Sequence, residues 1–283
     1  MNTYLDRIMT AKAAEVAELK QNFREIDFTR GRLFNRNCIS LKEKLSHPES
    51  SGIIAEFKRK SPSKGVIHAT AKVAEVTRGY AEAGAAGLSV LTDTLFFGGT
   101  LCDLETARLA NPETPILRKD FVMAPLQVAQ AKAFGADVVL LIAACLTPEQ
   151  IHDLAQYARS LGMETLLELH DASELDKISP LVDLVGVNNR NLKSFTVDLD
   201  ASIHLASLIP GEWVKISESG LSSPETILML RKAGFRGFLM GEHFMKKEDP
   251  AEECRQFIDQ LRNTELIINQ KCDLGEQING EHQ

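Results

Sequence analysis

Short apolar runs rich in Val, Ile and Leu recur along this chain, each followed by a polar stretch with helical spacing. The runs fall at 52–57, 87–91, 115–117, 136–143, 165–169, 182–187, 214–217 and 237–240, eight in all. They lack strict alternation, as expected of parallel strands buried on both faces. Between them, 72–83 carries Val73, Val76, Tyr80 and Ala83 on one face, and 124–134 and 148–161 each have a proline in the first turn. Ser222-Ser223-Pro224-Glu225 reads as a capped helix start. Gly84, Gly135 and Gly234 stand just before the next strand, where a left-handed residue can stop a helix. Eight strands alternating with helices predict one closed (β/α)8 TIM barrel; an open doubly wound sheet is the alternative, weakened by the lack of GxGxxG after the first strand.

Ahead of the barrel, Leu5, Ile8, Met9, Lys12, Val16 and Leu19 keep helical spacing, with charges between them, so an extra N-terminal helical segment is expected. The expected division is a helical extension over 1–50, a catalytic barrel over 51–263 and a polar, frayed tail over 264–283. The N-terminal segment is broken by charge, which does not suit a secretory signal, and no run reaches the length of a membrane span. Net charge is −7 with scattered basic residues, which speaks against a nucleic-acid partner. Cys38, Cys102, Cys145, Cys254 and Cys272 form no CxxC pair and no metal spacing; reduced thiols in a cytoplasmic protein are the simplest reading.

In a TIM barrel the chemistry sits at the C-terminal ends of the strands. Glu56 and Lys58 end the first strand on one face, and Lys119, Glu168, Asn188-Asn189-Arg190 and Glu218-Ser219-Gly220 end later ones. Singly, each is an ordinary ion-paired residue; together they converge on one rim, and no comparable set is visible at the opposite ends. Burial and like-charge neighbours would bring lysine and carboxylate pKa values toward neutrality, while ion pairing would oppose both shifts. Ser219-Gly220 and Gly241-Glu242 follow the last two strands, where barrels bind phosphate with backbone N–H groups. The basic cluster Lys58-Arg59-Lys60 with Lys64 suits either a solvated face or a small anion, and the loop 60–68 suits either a lid or a surface loop. His170 is expected to be a loop residue rather than a base, Trp213 packing, and His243 a helix-start surface residue.

At these residues a family resemblance becomes specific. Ile54-Ala55-Glu56-Phe57-Lys58-Arg59-Lys60-Ser61-Pro62-Ser63 is similar to the signature of indole-3-glycerol-phosphate synthases. Ser89-Val90-Leu91-Thr92-Asp93 followed by Phe97-Gly98-Gly99, Ile116-Leu117-Arg118-Lys119-Asp120-Phe121, Val185-Gly186-Val187-Asn188-Asn189-Arg190-Asn191-Leu192 and Ile216-Ser217-Glu218-Ser219-Gly220 continue it in order. Leu5-Asp6-Arg7-Ile8 with Lys12 and Glu15-Val16 resembles the family's opening helix. The match runs over roughly residues 4–260 and is loose over 21–50.

The resemblance implies ring closure, decarboxylation and dehydration of 1-(2-carboxyphenylamino)-1-deoxyribulose 5-phosphate, without cofactor or metal. It implies Lys119 as the general acid at the ketone, Lys58 near phosphate and the reacting chain, and Glu56 and Glu168 as catalytic carboxylates. Asn188 would position them, Arg190 would bind the anthranilate carboxylate, and Ser61 and Ser219 would be further site residues. Gly220 and Gly241 fit phosphate loops; Glu242 is expected to turn its side chain away and offer only its backbone N–H. A small phosphorylated substrate is the expected partner, and a monomer is favoured because no extra interface segment is visible. The rivals are another phosphate-binding barrel enzyme, such as an isomerase of a phosphoribosyl anthranilate, and a silent barrel used only for binding.

Overall fold

The structure is a computed structural model; it describes residues 4–62, 64–191 and 196–280, the side chains of 269 and 271–280 apart. Eight parallel strands close on themselves: β1 Ile53–Phe57, β2 Gly87–Leu91, β3 Ile116–Lys119, β4 Val138–Ile142, β5 Glu164–Leu169, β6 Leu184–Asn188, β7 Val214–Glu218 and β8 Phe235–Met240. Each pairs with the next in sequence, and β8 closes on β1 through Ile53↔Phe238 and its successors. The closed TIM barrel expected from the alternation is therefore present, and the open sheet is excluded. Three helices precede it: α1 Tyr4–Asn22, α2 Glu25–Thr29 and α3 Leu41–Ser46. None of the described helices is long and apolar enough to cross a membrane.

Residues two apart share a face of a strand, and this sorts the core into two parts. Ile53, Ala55 and Phe57 of β1 point outward, into the layer between barrel and helices. Ile54 points inward and joins Leu117, Val138, Leu140, Leu166, Leu184, Ile216 and Leu239 in the barrel's interior. Leu41 and Leu45 of α3 belong to this inner cluster, so α3 plugs the barrel at the N-terminal ends of the strands. Gly87 and Gly237 make room for it; a Cβ there would lie 2.6 Å from Leu41 and 3.1 Å from Leu45. Truncating a leucine packed this way typically costs about 2–5 kcal/mol.

The plugged end is not free of charge, contrary to expectation. Glu164 at the start of β5 accepts from the Ser40 hydroxyl and from the backbone N–H of Leu41 (2.9 Å) and Lys42 (3.1 Å), capping α3. Buried Asp137 accepts from Arg36 (2.6 Å), from Arg108, and from the N–H groups of Ile39 (2.8 Å) and Ile116 (2.7 Å). These carboxylates are used up by backbone donors and guanidinium groups. Through Arg36, Ile39, Ser40, Leu41 and Lys42 they tie the loosely matching segment 21–50 to the barrel.

The outer helices sit where the apolar periodicity puts them. α4 Val73–Glu82, α5 Pro125–Ala133, α6 Pro148–Ser160 and α7 Pro224–Lys232 cover the crossovers β1–β2, β3–β4, β4–β5 and β7–β8, with Thr147 and Ser223 accepting from the third helical N–H. Gly84, Gly135 and Gly234 have φ of 94°, 94° and 93°, the left-handed stops expected of them. Two elements differ from expectation. Between β5 and β6 the crossover is only a 3-10 turn, Ala172–Lys177. The last helix, Pro250–Gly280, runs through most of 264–283, so this segment is helical rather than frayed; Ile268 still packs on the core, while Leu266 and Ile267 are exposed.

Candidate active site

Strand period, not chance, gathers charge at the open end. Going up four of the inward faces, an apolar residue is followed two positions later by a polar one: Ile54 by Glu56, Leu117 by Lys119, Leu166 by Glu168, and Ile216 by Glu218. On β6 the series is Leu184, Gly186 and Asn188. These groups floor a cavity of about 420 Å³, within the size range of small-molecule sites. Lys58, Ser61, Arg190, Ser219, Gly220, Gly241 and Glu242 line its rim, so every site residue expected from the sequence borders one cavity.

Lys119 is the hub. Its ammonium lies 3.0 Å from Glu168 Oε2 and 3.2 Å from Glu218 Oε2. Glu168 Oε1 accepts from Asn188 Nδ2 at 3.1 Å, and Asn188 Oδ1 in turn accepts from the Arg190 backbone N–H at 3.0 Å. On the other side of the barrel, Lys58 Nζ donates to Glu56 Oε1 at 2.6 Å. Gly241 packs on Glu56: a Cβ there would meet Glu56 Oε1 at 2.6 Å, so only glycine lets β8 and its loop approach this carboxylate.

Burial and pairing set the protonation states. Burial disfavours the Lys119 charge, but Glu168, Glu218 and Glu56 outweigh it and raise its pKa above the ordinary lysine value. Ion pairing therefore wins over desolvation, and the lowered lysine pKa considered from the sequence does not occur. Burial alone would also raise Glu168; Lys119, His170 and Asn188 reverse this and hold it well below the usual carboxylate range. Glu218 goes the other way, pushed up to about 8 by burial and by Glu168 against the pull of Lys119. Two carboxylates on one lysine thus separate into an ionised base and a protonated acid at neutral pH, the arrangement acid–base catalysis needs.

Glu218 is a functional candidate that the sequence reading noticed but left out of its site. It is 1% exposed, and apart from its ion pair with Lys119 neither oxygen has a hydrogen-bond partner among the described residues. Room for it comes from β6, where a Cβ on Gly186 would stand 2.4 Å from Glu218 Oε1. The two-residue step from inward Ile216 was the available signal.

The glycine loops after β7 and β8 lie side by side at the mouth. Ser219 and Gly220 both have φ of 73°, and Asn189 Nδ2 braces the turn by donating to the Ser219 carbonyl at 2.8 Å. A turn here brings successive backbone N–H groups near the mouth, and turns of this kind can make anion-binding concavities. Gly241 caps the short helix Glu242–Met245 beside it. Of the basic cluster only Lys58 serves the cavity floor: Arg59 makes a bidentate pair with Asp103 (2.7 and 3.0 Å), and Lys60 donates to the Leu95 carbonyl. Glu242 does not turn away. Its carboxylate lies 3.9 Å from Arg190 Nη2 and 3.8 Å from Lys64 Nζ, drawn across the mouth by two cations.

The N-terminal helix supplies a wall. Tyr4, Leu5 and Ile8 of α1 face the cavity beside Phe97 and Phe121, giving it one apolar end. Lys12 holds α1 there: 1% exposed, it reaches Asp93 after β2 at 3.0 Å and Asp120 after β3 at 2.9 Å. The sequence placed Lys12 on the apolar face but gave no sign of these partners. Trp213 donates to the Val182 carbonyl, the packing role expected of it, whereas His243, expected at the surface, is 15% exposed, pairs with Glu253 at 3.1 Å and borders the cavity. Ser63 and Leu192, in the expected motifs, lie outside the described residues.

Fold and mouth together define a (β/α)8 barrel with a buried cluster of lysine and carboxylate groups at the C-terminal ends of its strands. Residues 5–257 match the family model described as indole-3-glycerol phosphate synthase. The chain is 46% identical over 251 residues to an indole-3-glycerol phosphate synthase of Bacteroides thetaiotaomicron, covering 89% of this chain and 92% of that one. It is 41% identical over 263 residues to the enzyme of that name from Bordetella pertussis, covering 91% and 100%. Among solved structures, the 3-hexulose-6-phosphate synthase of Salmonella typhimurium superposes with a TM-score of 0.60 at 13% identity, covering 75% of this chain and 98% of that one, a likeness of fold alone. The chain belongs to the indole-3-glycerol phosphate synthase family.

Proposed function

We propose that this chain is the carbon–carbon lyase of tryptophan biosynthesis that converts 1-(2-carboxyphenylamino)-1-deoxyribulose 5-phosphate to indole-3-glycerol phosphate, carbon dioxide and water. The observation that carries the reading is the Lys119 ammonium between ionised Glu168 and protonated Glu218, facing a cavity apolar at one end and rimmed by glycine loops at the other. The substrate has the same polarity, an aromatic ring at one end and a phosphate at the other.

The chemistry follows from the groups. An anthranilate ring is a poor carbon nucleophile, so the ketone must receive positive charge or a proton as the bond forms. Lys119, kept cationic by its neighbours, donates to that oxygen in a water-poor site. Loss of carbon dioxide restores the aromatic ring and needs no electron sink. Dehydration then needs a base and an acid; Glu168 is the ionised carboxylate within reach, and Lys58, held by Glu56, and Glu218 share the proton donation. Asn188 aims Glu168. Arg190 takes the substrate carboxylate, releasing Glu242, while Ser61, Ser219, Gly220 and Gly241 with Lys58 hold the phosphate end.

The same reading makes the chain a cytoplasmic monomer that acts on this small phosphorylated substrate without cofactor or metal, with its catalytic barrel over 51–263. The test is a turnover assay with that substrate in EDTA-treated, dialysed protein, following indole fluorescence. Formation of indole-3-glycerol phosphate is the expected result. No product, or product only after adding a divalent metal, would overturn the reading.

A further inference from the structure

His170 lies two residues beyond Glu168, so the strand period that brings Glu168 into the barrel brings the imidazole in above it. Its side chain is 10% exposed, and Nε2 stands 3.1 Å from Glu168 Oε1. The opposite nitrogen, Nδ1, faces Glu174 Oε2 at 3.8 Å, and the same Glu174 oxygen accepts from the His170 backbone N–H at 2.7 Å. Glu174 is buried at 7% exposure in the 3-10 turn, which is itself capped by Asp171. An imidazole between two buried carboxylates, one of them lodged in the cavity floor, is more than a loop residue.

Consider the two carboxylates at Lys119. Glu168 has three nitrogens within hydrogen-bonding range, from Lys119 (3.0 Å), Asn188 (3.1 Å) and His170 (3.1 Å). Glu218 meets one nitrogen among the described residues, Lys119 at 3.2 Å, and otherwise faces Glu168 itself. Lys119 contacts both, and Asn188 is neutral, so the one charge that distinguishes the pair is on His170. We propose that His170 is a positioning residue: its imidazolium, held from behind by Glu174, keeps Glu168 ionised and aimed, and thereby leaves the proton on Glu218. The inference rests on reading Glu168 as the base of the proposed reaction.

The surrounding groups agree. The other titratable groups near the ring are Glu218 on β7, Cys145 in the turn after β4, and Lys177, whose Nζ is engaged by the carbonyls of Ala143 (2.7 Å) and Leu146 (3.1 Å). Burial disfavours the imidazolium, but Glu168, Glu174 and Glu218 outweigh it and raise the His170 pKa. Lys119, which shares Glu168 with the ring, is itself balanced by Glu168 and Glu218.

The test is the pH dependence of kcat and kcat/KM for His170→Ala, His170→Asn and Glu174→Gln, with Glu168→Gln as control and thermal melts to check folding. Removing a cation this close should raise the acidic limb of kcat by roughly one pH unit, so turnover on that limb falls about tenfold while KM changes little. His170→Asn restores a donor without charge: it should regain part of the turnover at high pH and keep the displaced limb. Glu174→Gln, which leaves the ring in place, should move the limb the same way by less. A folded His170→Ala with the wild-type limb, or a His170→Asn that restores the limb completely, overturns the proposal. Undiminished turnover in Glu168→Gln would instead overturn the reading of Glu168 as the base.

Discussion

Replacing Lys119 with methionine keeps the length and packing of the side chain and removes only the charge and the donor. Lys119 faces two carboxylates at 3.0 and 3.2 Å. At an effective dielectric of about 20, the contact with ionised Glu168 is worth on the order of 5 kcal/mol before the desolvation of the partners is charged against it, and protonated Glu218 contributes less. Without the ammonium, Glu168 and Glu218 face each other uncompensated, and one proton must be shared between them at neutral pH. The ketone then loses its cationic donor, and the base is partly protonated. A positioned acid contributes about 10²–10⁴ in rate, or roughly 2.7–5.5 kcal/mol of barrier. Substrate affinity should change by no more than about threefold, because Lys58, Ser219-Gly220 and Gly241 lie on β1, β7 and β8, away from β3. Single-turnover rates by indole fluorescence and dissociation constants by calorimetry separate the two quantities. A Lys119→Met protein that binds far more weakly but reacts at the normal rate once bound would refute Lys119 as the acid.

Two further predictions concern stability. Glu218 has a folded pKa of about 8, above its unfolded value of 4.5, so its ionisable form costs stability increasingly as pH rises between those values, and the cost then levels off. Glu218→Gln should therefore raise the melting temperature more at pH 8 than at pH 5; an equal shift at both would show that Glu218 ionises normally. Lys12→Met strands Asp93 without its cation, leaves Asp120 with Arg118 alone, and should cost about 3–5 kcal/mol in urea unfolding, whereas a loss under about 1 kcal/mol would show that these pairs do not hold α1. Asp120 itself is depressed to about 2, because Arg118 and Lys12 outweigh its burial; its share of stability is present above about pH 4 and is lost as pH falls through about 2.

Much of this site could be read along the chain, because a strand fixes the direction of alternate side chains and a glycine fixes where backbone can come close. That local rule put Glu56 with Lys58, Lys119, Glu168, Asn188 and Arg190 on inward faces, and placed the phosphate loops after β7 and β8. Applied one step further it also reaches His170 and Glu218, which were passed over for want of a partner in the sequence. What the tertiary structure alone decided is who meets whom. Barrel closure sets β3 across from β5 and β7, so Lys119 is charged by two carboxylates rather than neutralised by burial. Folding α1 over the mouth sinks Lys12 between Asp93 and Asp120, and packing α3 beneath fills the barrel's floor. Facing and spacing are short-range properties of backbone geometry, legible in sequence; pairing and protonation depend on distances between strands far apart in the chain, which exist only once the barrel has closed.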